Sequence, residues 1–412
     1  MIAVLKHSWA LLLGVLLLLL GNGLQGTLLG IRGAIEGFDA ATMSLVMSAY
    51  YVGFLVGSRR ATPMIARVGH VRVFAALGSM ISAAFILYAA AVDVWVWTAL
   101  RFVVGFAFAG VYVVAESWLN EAASNETRGQ ALSLYMIAQM VGIISAQFIL
   151  TLADPGGYTL FVVMSVLVSL CFTPILLTAG SAPPYQTTKP MSLVQLFRIS
   201  PLGCVGTFLL GGVYAGIFGM ASVFGTEMRL SVAQISAFVA AIYVGGLVFQ
   251  YPIGWISDRM DRRRLIMGLT AVGAVVTLIG GILSSHYAVV LALGFAVGGV
   301  ANPLYSLIIA YTNDFLDKSD MAAASGGLLF INGLGAMLGP LIIGASMTRF
   351  GPDAFFVYIG TLFALIALYA LYRATRRAAP EETSSYAPVT PQASPVALEL
   401  AQEVAIERAG GN

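Results

Sequence analysis

The stretch Gly254-Trp-Ile-Ser-Asp-Arg-Met-Asp-Arg-Arg-Arg264 lies between two apolar runs, 235–253 and 265–283. A short, charge-dense turn between two runs long enough to cross a bilayer has a specific physical meaning. Gly254 has no Cβ, so two helices can approach closely there. Asp258 falls at the end of one run, where its carboxylate can accept hydrogen bonds from the start of the next. Arg259, Arg262, Arg263 and Arg264 stay on the side of the membrane that positive charge favours, the cytoplasmic one.

Working outward, the whole chain reads the same way. Of its 412 residues 59% are hydrophobic and 10% charged, with a mean hydropathy of +0.90. No soluble core absorbs that much apolar surface, so lipid must cover it. The net charge of +2 gives no reason to expect a nucleic-acid partner. Cys171 and Cys204 sit inside apolar runs and imply neither a disulfide framework nor a metal site. No cofactor is expected. The apolar start runs on to about Ile31, too long for the apolar core of a signal peptide.

Twelve apolar segments follow one another: 8–31, 42–58, 71–92, 94–116, 129–152, 157–179, 200–224, 233–256, 264–283, 286–313, 320–346 and 351–372. Each approaches the ~20 residues that span a bilayer, and backbone polarity in lipid forces them to be helices. With the N-terminus inside, all but four of the 21 Lys and Arg residues fall on cytoplasmic segments, the exceptions being Arg32, Arg101, Arg229 and Arg349. Both termini are therefore expected in the cytoplasm.

The two halves repeat. Ala49-Tyr-Tyr-Val-Gly-Phe-Leu-Val56 aligns with Ala241-Ile-Tyr-Val-Gly-Gly-Leu-Val248 at an offset of 192, which also carries Arg67 onto Arg259 and Arg72 onto Arg264. One residue more carries Gly105 onto Gly298 and Tyr112 onto Tyr305. The expected class is an all-α integral membrane protein, twelve helices in two pseudo-symmetric six-helix bundles with a substrate site between them. The bundles are expected at 1–180 and 200–375. A cytoplasmic linker, 181–199, joins them, and a disordered cytoplasmic tail, 376–412, follows. Within the linker, 192–199 reads either as a plain loop or as a surface helix with Leu193, Leu196 and Phe197 on one face. Within the tail, 396–409 reads as a short exposed helix.

The opening stretch resembles the loop motif of the major facilitator superfamily, Gly-x-x-x-Asp-Arg-x-Gly-Arg-Arg/Lys. Gly254, Asp258, Arg259, Arg262 and Arg263 match, and Asp261 departs where the family has glycine. The first-half copy at 62–72 keeps Arg67, Gly69 and Arg72 but lacks the aspartate. A second resemblance runs from Leu100-Arg-Phe-Val-Val-Gly105 through Tyr112 and Glu116 to Arg128-Gly129. It is similar to the fourth span of the superfamily's sugar porters and drug antiporters, and the chain looks most like a bacterial branch with Glu-Ser at that span's end. The resemblance implies proton coupling at Arg101 and a gate latch joining Glu116 to Arg67, Arg72 or Arg59. Asp258 with its neighbouring arginines forms the second-half latch.

Other polar residues inside the spans are either substrate contacts or helix–helix ties. They are Asn22, Gln25, Gln139, Tyr214, Tyr243, Gln250, Asn302, Tyr305 and Asn332. No Gly-x-x-x-x-Gly-Lys-Ser/Thr loop is present, so ATP is not the expected energy source. No catalytic constellation is visible, so the chain is not read as an enzyme. The expectation is a monomeric, multi-pass secondary transporter of the bacterial inner membrane. It would move a small organic solute by alternating access with protons as partner, and export of amphipathic compounds is preferred. Sugar-like uptake and a sensor or scaffold acting through the tail are the alternatives.

Overall fold

The computed structural model describes residues 2–122, 127–177, 191–317, 320–376, 386–389, 394, 396–398 and 400–401. Most of the expected linker, 181–190, and most of the tail lie outside these residues. The described regular structure is helical: α1 (Ile2–Ile35), α2 (Ala40–Val68), α3 (His70–Ala90), α4 (Val94–Ala122), α5 (Arg128–Ile149), α6 (Thr159–Leu177), α7 (Leu193–Ile199), α8 (Pro201–Ala215), α9 (Ala221–Glu227), α10 (Val232–Ser257), α11 (Arg262–Ile282), α12 (Tyr287–Asn313), α13 (Met321–Phe350) and α14 (Ala354–Ala374). Eleven described stretches are long and apolar enough to cross a membrane, and the apolar α6 supplies the twelfth place.

Local chemistry sets the ends. Asp39 accepts the Thr42 amide at 2.8 Å to cap α2. Ser200 caps α8, with Pro201 at its first turn. Gly69 has φ +83°, which lets the chain reverse from α2 into α3 without a loop. That glycine is one of the three motif residues kept in the worn first-half copy. Ser192 caps α7 by accepting the Gln195 amide, and Leu196 is buried. The linker's end is therefore a helix rather than a plain loop.

The seventh apolar segment is not one uniform helix. A five-residue π-turn, Gly216–Met220, separates α8 from α9. The contacts divide the chain into two compact units across that turn: 1–187 with 219–240, and 188–218 with 241–412. In the first, α1 packs on α5, α6 and α9, while α2 packs on α4. In the second, α8 packs on α13, and α11 packs on α14.

The repeat seen in the sequence is a repeat of helix crossings. A Cβ on Gly53 of α2 would strike the Phe102 carbonyl of α4, and one on Gly105 would strike the Tyr50 carbonyl. In the second unit a Cβ on Gly245 of α10 would strike the Phe295 carbonyl of α12, and one on Gly298 would strike the Ile242 carbonyl. The residues correspond one for one at offsets of 192 and 193. Backbone-to-backbone approach of this kind is how helices associate in lipid, where burial of apolar side chains adds little.

The expectation of a wholly disordered tail does not hold. Tyr386 is buried, and its amide donates to Asp258 at 2.8 Å. Ala397, Leu398, Leu400 and Ala401 are also buried, so the expected exposed helix is not exposed. Average composition hid this, because a few apolar residues within a Pro/Ser/Thr tract suffice to seat it.

Candidate functional site

In the first unit, Arg101 projects from the third turn of α4 and is 4% exposed. Its Nη1 donates to Gln25 Oε1 of α1 at 3.1 Å, and its Nη2 to Met47 Sδ of α2 at 2.6 Å. The guanidinium carbon lies 5.4 Å from the Tyr50 ring centroid. Gln25 is held in turn, its Nε2 donating to Tyr88 on α3 at 3.1 Å. Four helices thus fix one cation. Asn22, one turn from Gln25, donates to Tyr112 at 3.4 Å. Gln139 is buried on α5, and its Nε2 has no hydrogen-bond partner. The sequence did not single out Gln147, which accepts from Thr27 at 2.9 Å and donates to the Gly23 carbonyl, tying α5 to α1.

In the second unit the predicted polar positions fall into two sets. Tyr214 donates to the Ala301 carbonyl at 2.8 Å, stacks on Phe218 and meets Tyr305 edge-on. Tyr243 stacks on the other side of this group, its ring 5.2 Å from Phe218. The buried Tyr305 hydroxyl has no hydrogen-bond partner. Asn302 and Asn332 are spent on helix packing: Asn302 donates to Gly298 of its own helix, and Asn332 donates to the Thr207 carbonyl of α8. Gln250 donates to Ser306 at 3.3 Å and to the Tyr386 hydroxyl at 2.9 Å.

The loop 254–264 is built more tightly than its sequence required. Arg262 is buried and donates through Nε to Ser257 at 3.1 Å. Its strong partner is Asp314 at the end of α12, and the two side chains are each 1% exposed. Asp258 is only a distant partner, at 3.5 Å, and its side chain is 41% exposed. Sequence reading missed Asp314. The repeat offset of 193, which carries the acidic Glu121 onto it, was the available signal. Asp261, the departure from the motif, caps α11 through the Arg263 amide and pairs with the Arg263 side chain at 2.8 Å. That bond from Arg263 holds the Asp261 carboxyl below its ordinary range. Arg259 lies over the Trp255 ring at 4.1 Å.

Arg67 and Arg72 are exposed, with no ion pair among the described residues, whereas Glu116 is fully buried and accepts from Tyr135 of α5 at 2.8 Å. Glu116 faces into the bundle, and the two arginines sit beyond its rim.

A further contact was not foreseen. Gly30, near the C-terminal end of α1, lies against Ser222 of α9, so that any Cβ there would overlap the serine hydroxyl. Ser222 donates to the Gly26 carbonyl at 3.4 Å. The C-terminal parts of the first and seventh spans are in contact.

Two six-span repeats, their glycine crossings and the arginine loop define a membrane transporter architecture. The Major Facilitator Superfamily description matches residues 11–227 and 203–401, and the chain belongs to that family of multi-pass membrane transporters. The MFS-type transporter YcaD of Escherichia fergusonii is 25% identical over 373 residues, covering 90% of this chain and 96% of its own. YcaD of Escherichia coli is 26% identical over 367 residues, covering 88% and 95%. Among solved structures, the nucleoside transporter NupG matches with a TM-score of 0.77 at 14% identity, over 89% of this chain and 98% of that one. A bacterial homolog of the human lysosomal transporter Spinster, inward-facing and unoccupied, matches with a TM-score of 0.68 at 13% identity, over 98% and 97%. Those two likenesses establish the shared fold.

Proposed function

We propose that the chain is a secondary active transporter of the bacterial inner membrane, with both termini in the cytoplasm. It moves a small organic solute by alternating access coupled to protons. The observation that supports this reading is the family match over two six-span repeats whose glycine crossings correspond residue for residue. In a carrier of this architecture the two repeats rock about a site between them.

A guanidinium does not release its proton at physiological pH, so Arg101 acts in coupling through its charge alone. Glu116, buried on the same helix, is the second coupling candidate in this reading. The polar residues of both units are amides and phenols among aromatic rings, which suits amphipathic solutes, and export is the direction we favour. Sugar-like and nucleoside-like solutes are the competing cargo, the latter because NupG shares the fold.

The test is a flux measurement. Proteoliposomes carrying an internal pH dye are given a pH gradient and then amphipathic organic compounds, sugars and nucleosides in turn. Solute-dependent collapse of the gradient is expected for one class. A gradient that decays as in protein-free liposomes for every class contradicts the reading. The docked tail favours one second reading, a transporter-fold sensor whose tail signals to a partner. Deleting the tail should spare flux in a carrier and abolish the role of a sensor.

A further inference from the structure

Among the described residues three arginines are buried: Arg101, Arg262 and Arg263. Arg262 has Asp314 and Arg263 has Asp261. Arg101 has no carboxylate. Its contacts are an amide oxygen, a thioether sulfur and a ring face, all neutral. An uncompensated guanidinium in a low-dielectric interior is costly, and a ring contact returns only part of that cost.

The missing partner has a definite shape. Nε–H and Nη2–H form one edge of the guanidinium plane. On that edge Nε has no hydrogen-bond partner and Nη2 meets only the Met47 sulfur, a weak acceptor on a flexible side chain. The hydroxyl of Tyr50, whose ring contacts the same guanidinium, is also buried without a partner. Two parallel N–H groups match the two oxygens of a carboxylate, and the phenol adds a third donor. Tyr51 and Phe108 pack around Tyr50, with ring centroids 5.4 and 6.5 Å away.

Resting on the transporter reading, we propose that Arg101, Tyr50 and the Gln25 that orients the guanidinium form a carboxylate-binding site. The cargo is then an organic monocarboxylate with an apolar or aromatic body. The ligand's oxygens displace Met47 from Nη2, and its body lies against the aromatic rings.

The test is thermal unfolding of the full chain in detergent with benzoate, its neutral isostere benzamide, and chloride as a control anion. Benzoate is expected to raise the midpoint by several degrees, and benzamide and chloride are not. Arg101→Gln removes a buried unpaired charge, so it should fold at least as stably and lose the benzoate shift. Gln25→Glu gives Arg101 a permanent carboxylate, so its midpoint should rise while the shift disappears.

Equal stabilisation by benzamide, or a benzoate shift that survives Arg101→Gln, overturns the site. Equal stabilisation by chloride overturns the organic-acid class. Neutral solutes that drive flux unchanged in Arg101→Gln sink the carboxylate site and leave the transporter standing. A benzoate shift with no flux of any solute keeps the site and sinks the transporter.

A different observation stands in the second unit. Besides the bond from its amide to Asp258, Tyr386 accepts from Gln250 at 2.9 Å and packs its ring on Gly254. The Val389 amide donates to Ser306 at 2.9 Å, and Ser306 donates back to the Val389 carbonyl at 3.1 Å. One short segment thereby occupies the motif glycine, the motif aspartate and a predicted cavity amide. The geometry points to Tyr386–Val389 as a cytoplasmic plug that restrains the crossing of α10 with α12 and withholds Gln250 and Asp258 from their transport roles. Tyr386→Ala and a chain ending at Arg376 are both expected to transport several-fold faster in proteoliposomes, and a synthetic peptide spanning 381–392 should slow the truncated chain again. Wild-type rates in both variants, or a peptide without effect, overturn the plug.

Discussion

Arg262 and Asp258 are both motif residues, but their environments give them different weights. Arg262 and Asp314 are buried against each other, and removing one partner strands the other's charge. Asp314→Asn should therefore cost about 3–5 kcal/mol, read as a lowered unfolding midpoint. Asp258→Asn removes a half-exposed, distant partner and should cost under about 1 kcal/mol. Equal losses from the two substitutions would contradict this ranking. Arg101 was legible in the sequence because a charge inside an apolar run declares itself. Asp314 was not, because an acid at a span's end looks like any solvated rim charge until its partner is placed. The bond from Tyr135 to Glu116 was not legible, because a sequence does not show which way a helix turns its side chains.

At the scale of the element, the glycine crossings were legible as a repeat, and their physical purpose became visible only with the backbones in contact. Gly53→Leu should abolish folded protein, because the Phe102 carbonyl occupies the space, whereas Gly268→Ala meets nothing within 4 Å. The latter should be neutral or stabilise by up to about 1 kcal/mol. Yield of monodisperse protein after detergent extraction separates the two cases. The cap of α11 makes a pH prediction. The Asp261 carboxyl is lowered by its bond from Arg263, so its stabilising contribution is complete above the unfolded value of about 3.9 and is lost as pH falls through the lower folded value. The stability difference between the wild type and Asp261→Asn should be constant from neutral pH down to about 5 and should shrink in more acid conditions. The π-turn between α8 and α9 was not legible, since an unbroken apolar run at 200–224 carries no signal for a local change of helical pitch.

For the whole molecule, the two-fold repeat, the helical class and the membrane setting were all legible, because hydropathy and offset are properties of the chain itself. Which units pack together was not. The assignment of 219–240 to the first unit goes with the packing of α9 on α1 and α2, Gly30 on Ser222 included, which no local pattern predicts. We propose that this contact between the first and seventh spans closes and opens in the transport cycle. Gly30→Trp should prevent closure of the contact and stop flux while leaving the chain folded, as the accessibility of a cysteine introduced at Ile35 to a membrane-impermeant reagent would report.

The measurement that tests the claim most directly is a spin-label distance in liposomes, with labels at the exposed Ile35 and Glu227 after replacement of the buried Cys171 and Cys204. Two distance populations are predicted, exchanging weight with pH or added benzoate, and Gly30→Trp should deplete the shorter one. A single distance that neither pH, ligand nor Gly30→Trp alters would contradict alternating access at this contact.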